Sequence, residues 1–168
     1  MKSKTVYLYT DGSSLGNPGP GGFGLILEWA GMSYSKEFSQ GFIKTTNNRM
    51  ELLAVIVGLE MLKKDSMEVV VYSDSKYVVD SVEKKWVFGW EKKNFKDKKN
   101  PDLWKRFLVV YRKHTIHFQW IKGHNQHPQN ERCDQLAVQA AKGKNLVSDV
   151  FFEQIETQNS YGILFVDF

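Results

Sequence analysis

The chain of 168 residues has a single cysteine, Cys133, and therefore cannot form an internal disulfide bond. Low cysteine use is typical of proteins from a reducing compartment. No apolar run approaches the roughly 20 residues that span a bilayer, and the N-terminus lacks the pattern of a secretory signal. These absences predict a cytoplasmic protein with no membrane association. Cys133 could be read as a reactive thiol, but a buried structural cysteine is the commoner case.

Glycine and proline are concentrated in one segment. Residues 11–24, DGSSLGNPGPGGFG, hold six of the 13 glycines and two of the four prolines, which predicts a tight, irregular turn. The segment lacks the Gly-Lys-Ser/Thr ending of a phosphate-binding loop. A nucleotide-binding interpretation of it is therefore weak.

Positive charge is also concentrated in one segment of the chain. Residues 84–99 carry seven lysines and two acidic residues, in a chain whose net charge is +4. A compact basic patch attracts a polyanion more effectively than diffuse charge does. Tryptophans lie among these lysines, which favours a nucleic-acid-binding surface over a merely solvated face.

Hydrophobic periodicity predicts one α/β domain with a mixed sheet and helices on its faces. The predicted strands are 4–11, 24–29, 33–41, 68–74 and 115–121, and the predicted helices are 45–64, 75–82, 101–113 and 131–141. Ligands of such sheets gather near the carboxyl ends of the strands.

Four carboxylates lie where an ionised side chain is costly: Asp11 and Asp74 end apolar strands, Glu51 lies in an apolar helix, and Asp134 opens a late helix. A buried ionised carboxylate needs a partner or a metal ion. Together they predict a divalent-metal site suited to phosphoryl transfer.

Each carboxylate also has a purely structural interpretation. Asp11 could order the glycine-rich turn, and Asp74 could cap the helix that follows it. Glu51 and Asp134 could lie in the first turns of their helices, where the dipole favours acids, and Glu131 competes with Asp134 for either role.

Five segments, in this order, resemble type I ribonuclease H: YTDGSSLGNPGPGGFG, TTNNRMELLA, YSDSKYV, the Trp-rich basic segment and WIKGHNQHPQNERCDQLA, covering roughly residues 4–142. The resemblance implies a ribonuclease H fold, with a five-stranded mixed sheet flanked by helices, in a catalytic domain at 1–146 whose basic protrusion spans about 84–100. It also implies endonucleolytic hydrolysis of the RNA strand of RNA–DNA hybrids, leaving 5′-phosphate and 3′-hydroxyl ends.

The resemblance assigns metal binding and catalysis to Asp11, Glu51, Asp74 and Asp134. Two Mg²⁺ ions per active site, with Mn²⁺ as a substitute, match hard oxygen ligands of this kind. Asp11 would bridge both ions, Glu51 and Asp74 would serve the leaving-group ion, and Asp134 the nucleophile-side ion. In the metal-free state the four clustered carboxylates would repel one another, which predicts raised pKa values and weak metal affinity in the absence of substrate.

His124 and His127 lie in the loop KGHNQHPQN, and spacing alone does not choose between them. The family pattern selects His124 as a catalytic group that assists proton transfer or product release. His127 would then belong to the loop structure.

The resemblance also implies two surfaces for the hybrid. RNA, told from DNA by its 2′-hydroxyls, would meet Gly12, Ser13, Ser14, Asn17, Asn47 and Lys76. DNA would meet Thr46, Asn48, Lys84, Lys85, Trp86, Trp90, Lys92, Lys93, Phe95 and Lys96, largely without sequence specificity. The same residues could instead form turns, helix caps, packing contacts and a solvated face.

Three positions depart from the family pattern. Gly89 stands where the family often has Asn, Phe95 where a further tryptophan is common, and Lys76 where Gln is common. The departures at Gly89 and Lys76 put one DNA contact and one RNA contact in doubt.

Residues 147–168 form an acidic and apolar C-terminal tail with no Lys or Arg after Lys144. One hypothesis is that Tyr161–Phe168 packs on the domain as an extra C-terminal strand or a clamp. The other is that the tail binds a protein partner. Packing is favoured, because an exposed apolar strand promotes aggregation.

The resulting prediction is a monomeric, metal-dependent ribonuclease H acting on RNA–DNA hybrids. Two alternatives are a non-catalytic hybrid-binding protein and the ribonuclease H module of a reverse transcriptase. The four carboxylates and His124 argue against a binding protein, because unneutralised acids would repel phosphates.

Overall fold

A computed structural model describes residues 5–123 and 127–160. The strands are β1 (Thr5–Ser14), β2 (Gly19–Trp29), β3 (Ser35–Thr45), β4 (Glu68–Ser73), β5 (Thr115–Trp120) and β6 (Leu146–Val147). The helices are α1 (Asn47–Glu60), α2 (Lys76–Glu83), α3 (Trp86–Lys92), α4 (Pro101–Tyr111), α5 (Pro128–Lys142) and α6 (Val150–Ser160). No helix among the described residues is both long and apolar enough to cross a membrane.

The strands form one mixed sheet in the order β5-β4-β1-β2-β3-β6. The β1–β2 and β2–β3 pairs are antiparallel, whereas β4 is parallel to both β1 and β5, and β6 is parallel to β3. Strand β1 therefore lies inside the sheet with a parallel neighbour on one side. The carboxyl ends of β1 and β4 meet at the same edge.

Alternation along β1 separates the two faces of the sheet. Val6 and Leu8 belong to the main core, to which α1, α2 and α4 also contribute. Tyr9 faces the other way and packs with Ile26 and with Cys133 of α5. The sheet is thus covered by helices on both faces, as the sequence predicts.

The glycine-rich segment, residues 11–24, differs from its prediction as a tight, irregular turn. Strand β1 continues beyond Asp11, which pairs with Gly24 of β2, and the turn is confined to residues 15–18. A Cβ atom at Gly24 would lie 2.6 Å from the carbonyl oxygen of Cys133. Glycine at this position therefore allows α5 to pack closely on the sheet, a role that turn statistics do not reveal.

The predicted number of strands is also corrected. The five predicted strands are present, and β6 adds a sixth, in register with Gly41 and Phe42 of β3. The expected boundary between residues 146 and 147 falls inside β6, and α3 and α6 were not predicted. The segment proposed as an extra strand, Tyr161–Phe168, lies outside the described residues.

Candidate active site

Three carboxylates from distant parts of the chain converge at the carboxyl ends of β1 and β4. Ligand oxygens of Asp11, Glu51 and Asp74 all lie within 4.8 Å of one another. Asp11 lies two residues beyond the parallel pair Tyr9–Tyr72, and Asp74 follows directly after β4, so strand register places them side by side. Glu51 reaches them from α1.

Burial makes this cluster electrostatically unfavourable without a cation. Asp11 and Glu51 are each 5% exposed. Burial and the charge of Asp74 raise the pKa of Asp11 to about 8. Burial and the charge of Asp11 hold the pKa of Glu51 well above its ordinary value. The raised pKa values expected for clustered acids are found at these two residues.

The donor set fits a hard divalent cation. Oxygen Oε2 of Glu51 is buried and has no hydrogen-bond partner among the described residues. Such an atom carries a desolvation cost that a bound cation relieves. Carboxylate oxygens are the ligands that Mg²⁺ and Mn²⁺ prefer. The site is therefore chemically suited to a metal of this class.

Asp134 stands apart from the three. It lies half-buried on α5 and is not in the three-residue cluster, although its charge contributes to the raised pKa of Asp11. The acid in the first turn of α5 is Glu131, so Asp134 does not have that structural role. Asp134 is nevertheless close enough to the cluster for its charge to act on Asp11.

The purely structural interpretations of two other acids, a helix cap for Asp74 and a first-turn position for Glu51, are likewise not supported. Helix α2 is capped by the Ser75 hydroxyl, which accepts a hydrogen bond from the Val78 amide, and not by Asp74. Glu51 is the fifth residue of α1 and lies beyond its first turn, which contains no acid. Asp11 does accept a hydrogen bond from the Gly12 amide at 2.9 Å.

Comparison with known proteins identifies the family. The RNase H family model matches residues 3–142. This chain belongs to the ribonuclease H family. A "Ribonuclease H" of Desulforamulus reducens is 53% identical over 152 residues, covering 88% of this chain and 94% of that protein. The resemblance to type I ribonuclease H and the prediction of an enzyme are confirmed.

Solved structures agree with this assignment. LC9-RNase H1, a type 1 RNase H with the type 2 active-site motif, has a TM-score of 0.76 and 34% identity, covering 85% of this chain and 74% of that chain. LC11-RNase H1 in complex with RNA/DNA hybrid has a TM-score of 0.62 and 27% identity, covering 82% of this chain and 96% of that one. Ribonucleases H depend on divalent metal ions, and the carboxylate cluster fits that requirement.

Several residues predicted to contact RNA lie together near the ribonuclease H carboxylates. Ser13 and Ser14 end β1, and the Asn17 side chain accepts a hydrogen bond from the Asn47 amide at 3.1 Å. This bond joins the turn after β1 to the start of α1. Gly12 is buried, so its contribution to a ligand would come from the backbone.

The residues predicted to contact DNA differ in how far they are exposed. Lys84, Lys85, Lys92, Lys93 and Lys96 are exposed, as are Asn48 and Trp86, the latter at 48%. Trp90 packs edge-on against Trp104 at 5.9 Å. Phe95 is only 5% exposed and belongs to the core. Trp86 is therefore the exposed aromatic ring of this segment.

Thr46, also predicted to contact DNA, caps α1, because its hydroxyl oxygen accepts a hydrogen bond from the Arg49 amide.

The predicted catalytic His124 lies outside the described residues. His127 caps α5, since its Nδ1 atom accepts a hydrogen bond from the Asn130 amide at 3.3 Å. Cys133 is fully buried, and burial raises the pKa of its thiol. It is therefore a structural cysteine in this ribonuclease H, because reactivity requires the thiolate.

Sequence reasoning missed a buried ionic network beside the active site. Arg49 donates two hydrogen bonds to Asp102, of 2.9 and 2.7 Å, and two to Asp149, of 2.7 and 2.9 Å. Asp149 also accepts a hydrogen bond from Thr45 at 2.7 Å. An arginine in a helix with a long apolar run was the available signal. The network fixes the start of α1 against the C-terminal residues.

Gly12 sets the spacing between β1 and α1. A Cβ atom at Gly12 would overlap the amide nitrogen of Glu51 and the carbonyl carbon of Met50. We expect Gly12→Ala to push α1 away, to lower the free energy of unfolding by about 2 kcal/mol or more, and to reduce hybrid cleavage at least about tenfold. Urea denaturation and initial rates measure the two effects.

Gly89→Ala is the matched control for this variant. Gly89 lies in α3, and a Cβ atom there would meet nothing within 4 Å. Its replacement should leave cleavage unchanged and stability equal or slightly higher. Wild-type stability in Gly12→Ala would show that β1 and α1 tolerate a larger separation.

Proposed function

We propose that this chain is an endonuclease that hydrolyses the RNA strand of RNA–DNA hybrids, leaving 5′-phosphate and 3′-hydroxyl ends. The convergence of Asp11, Glu51 and Asp74 within 4.8 Å, with two of them buried, is the observation that carries the proposal. Membership of the ribonuclease H family and the hybrid-bound LC11-RNase H1 support the choice of substrate.

The three carboxylates would hold divalent cations, with Asp134 as a fourth ligand from α5. Two bound divalent cations supply an activated water and charge stabilisation at the attacking and leaving oxygens of a phosphodiester. Mg²⁺ is the proposed ion, with Mn²⁺ as a substitute. His124 is proposed to assist proton transfer or product release.

The surfaces around the cluster are suited to the two strands. Polar groups at the end of β1 and the start of α1 would read the 2′-hydroxyls of RNA. The exposed lysines of residues 84–99 and Trp86 would hold the DNA strand through phosphates and a stacking surface. A binding protein without catalysis is disfavoured, because buried acids facing phosphates would only oppose binding.

The ribonuclease H module of a reverse transcriptase would use the same carboxylates. That alternative therefore concerns the context of the chain and not its chemistry. The cytoplasmic location, the monomeric state, the domain boundary and a protein partner for the tail remain predictions from the sequence.

Cleavage of end-labelled RNA annealed to DNA tests the proposal. Cutting should require Mg²⁺, stop in EDTA, and fall by about a thousandfold or more in Asp74→Asn, because a ligand of the reacting site is lost. Asp65→Asn, which changes an exposed acid before β4, should cut like the wild type. Single-stranded RNA, duplex RNA and duplex DNA should stay intact.

The product ends are tested in the same reaction. A polymerase should extend the new 3′ ends, and a kinase should label the new 5′ ends only after phosphatase treatment. Tight hybrid binding without cleavage in Mg²⁺ or Mn²⁺ would contradict the proposal and leave a binding protein.

A further inference from the structure

Trp120 contacts the backbone of one of the active-site acids. It ends β5 opposite Ser73 of β4, and its indole Nε1 donates a hydrogen bond of 3.1 Å to the backbone carbonyl of Asp74. The Ile121 amide donates to the Ser73 carbonyl at 3.0 Å, which continues the pairing beyond β5. The indole thus fixes the backbone that presents the Asp74 carboxylate.

The same indole ring also holds a cation. Lys76 is the first residue of α2, and its Nζ atom lies 4.5 Å from the centroid of the Trp120 ring. A cation over an indole face is attracted by the ring quadrupole. One side chain therefore contacts both the Asp74 backbone and the Lys76 ammonium.

Lys76 is available to an anion. It is an exposed residue, and the ion pairs found among residues 5–123 and 127–160 do not include it. The ring lies on only one side of the ammonium. An ammonium is a compact point charge with three donors, which suits a phosphate oxygen.

We propose that Lys76 binds a phosphate of the RNA strand next to the cleavage site, and that Trp120 is a positioning residue that holds Lys76 and Asp74 in place together. This inference rests on the proposed function, since it needs a nucleic acid at the carboxylate cluster. It assigns to Lys76 a charge contact with the backbone and not a contact with a base or a 2′-hydroxyl.

The salt dependence of kcat/KM tests the role of Lys76. Each phosphate contact contributes about one to the slope of log affinity against log salt. Lys76→Gln should lower this slope by about one and raise KM several-fold near 100 mM salt, with kcat nearly unchanged. Lys64→Gln, which removes an exposed lysine at the opposite end of β4, should keep the wild-type slope.

Two substitutions separate the contacts of Trp120. Trp120→Leu removes both the N–H donor and the ring. The slope of log kcat/KM against log salt should therefore fall by about one, as in Lys76→Gln, although Lys76 is still present. Trp120→Phe keeps a ring but loses the donor, so it should retain more of the slope. Both should weaken Mn²⁺ binding several-fold in calorimetry of the free protein, whereas Lys76→Gln should not.

The outcomes distinguish this inference from the proposed function. If the wild type does not cut hybrids, the proposed function fails. If it cuts, and Lys76→Gln retains the wild-type salt slope, the phosphate contact is refuted. If the Trp120 variants only melt at lower temperature, with wild-type slope and wild-type Mn²⁺ affinity, Trp120 has a structural role and the positioning assignment is overturned.

Discussion

Replacing Asp11 by Asn is expected to abolish hybrid cleavage and, in metal-free buffer at neutral pH, to raise the melting temperature. Cleavage should fall by about a thousandfold or more, because Asn cannot supply the charge that holds a divalent cation at the cluster. Stability should rise because the same charge is unfavourable in the folded protein without metal.

The sign of the stability change follows from the pKa of Asp11, which is about 8 in the folded chain against an ordinary value of 3.8. Between these values the folded state binds the proton and the unfolded state does not. The metal-free protein therefore loses stability as the pH rises through this range. At pH 7 the wild type has lost on the order of 2–4 kcal/mol of its free energy of unfolding through Asp11. Asp11→Asn avoids this loss, so its Tm should be higher than that of the wild type by about 5 °C or more.

Thermal unfolding in EDTA at several pH values measures this effect. The wild type should lose Tm between about pH 4 and pH 8, and Asp11→Asn should show a flatter profile. Asp134→Asn is the matched control, since Asp134 is half-buried and lies outside the three-residue cluster. It should change Tm less than Asp11→Asn does. An Asp11→Asn protein no more stable than the wild type would show that the cluster is not strained.

The second large effect is expected from Asp149→Asn. Asp149 is 8% exposed and accepts hydrogen bonds from Arg49, which is 2% exposed. Burial lowers the pKa of Arg49, but its hydrogen bonds to Asp102 and Asp149 outweigh burial and raise it. Asn removes one of the two balancing charges and leaves a buried cation partly uncompensated. We expect a loss of about 3 kcal/mol, or about 6–12 °C in Tm.

Glu156→Gln is the control for this variant. It breaks the 3.3 Å ion pair between Lys44 of β3 and Glu156 of α6, whose side chains are 45% and 34% exposed. Exposed ion pairs contribute about 1 kcal/mol or less, so its Tm should stay close to that of the wild type. Equal effects of the two substitutions would mean that Asp149 does not act through a buried network. Cleavage by Asp149→Asn, measured well below its Tm, reports whether α1 also shifts.

The parts of the site that could be predicted are those set by local pattern. Asp11 and Asp74 follow apolar strand residues, and Glu51 interrupts an apolar helix, so each is visible within a few residues of sequence. The parallel pairing of β1 and β4 then brings Asp11 and Asp74 together without further information. The order of strands and helices along the chain, which predicts a mixed α/β sheet, is likewise read from short stretches of sequence.

The features that were missed depend on partners far along the chain. Arg49 could be recognised as unusual, but nothing near it indicates that Asp149 approaches from across the domain. The role of Gly24 depends on Cys133 of α5, a contact that no turn rule contains. Phe95 was predicted to contact DNA because it stands where the family commonly has a further tryptophan, and its burial is set by packing against the core.

The pairing of Arg49 with Asp149 also bears on synthesis of the chain. Ribosomes release the N-terminal part first, so β1, α1 and β4 emerge long before Asp149. Until that residue leaves the exit tunnel, the start of α1 lacks one of the two acids that balance Arg49. The start of α1, which carries Glu51 of the nuclease site, therefore gains its full support only after Asp149 has been synthesised.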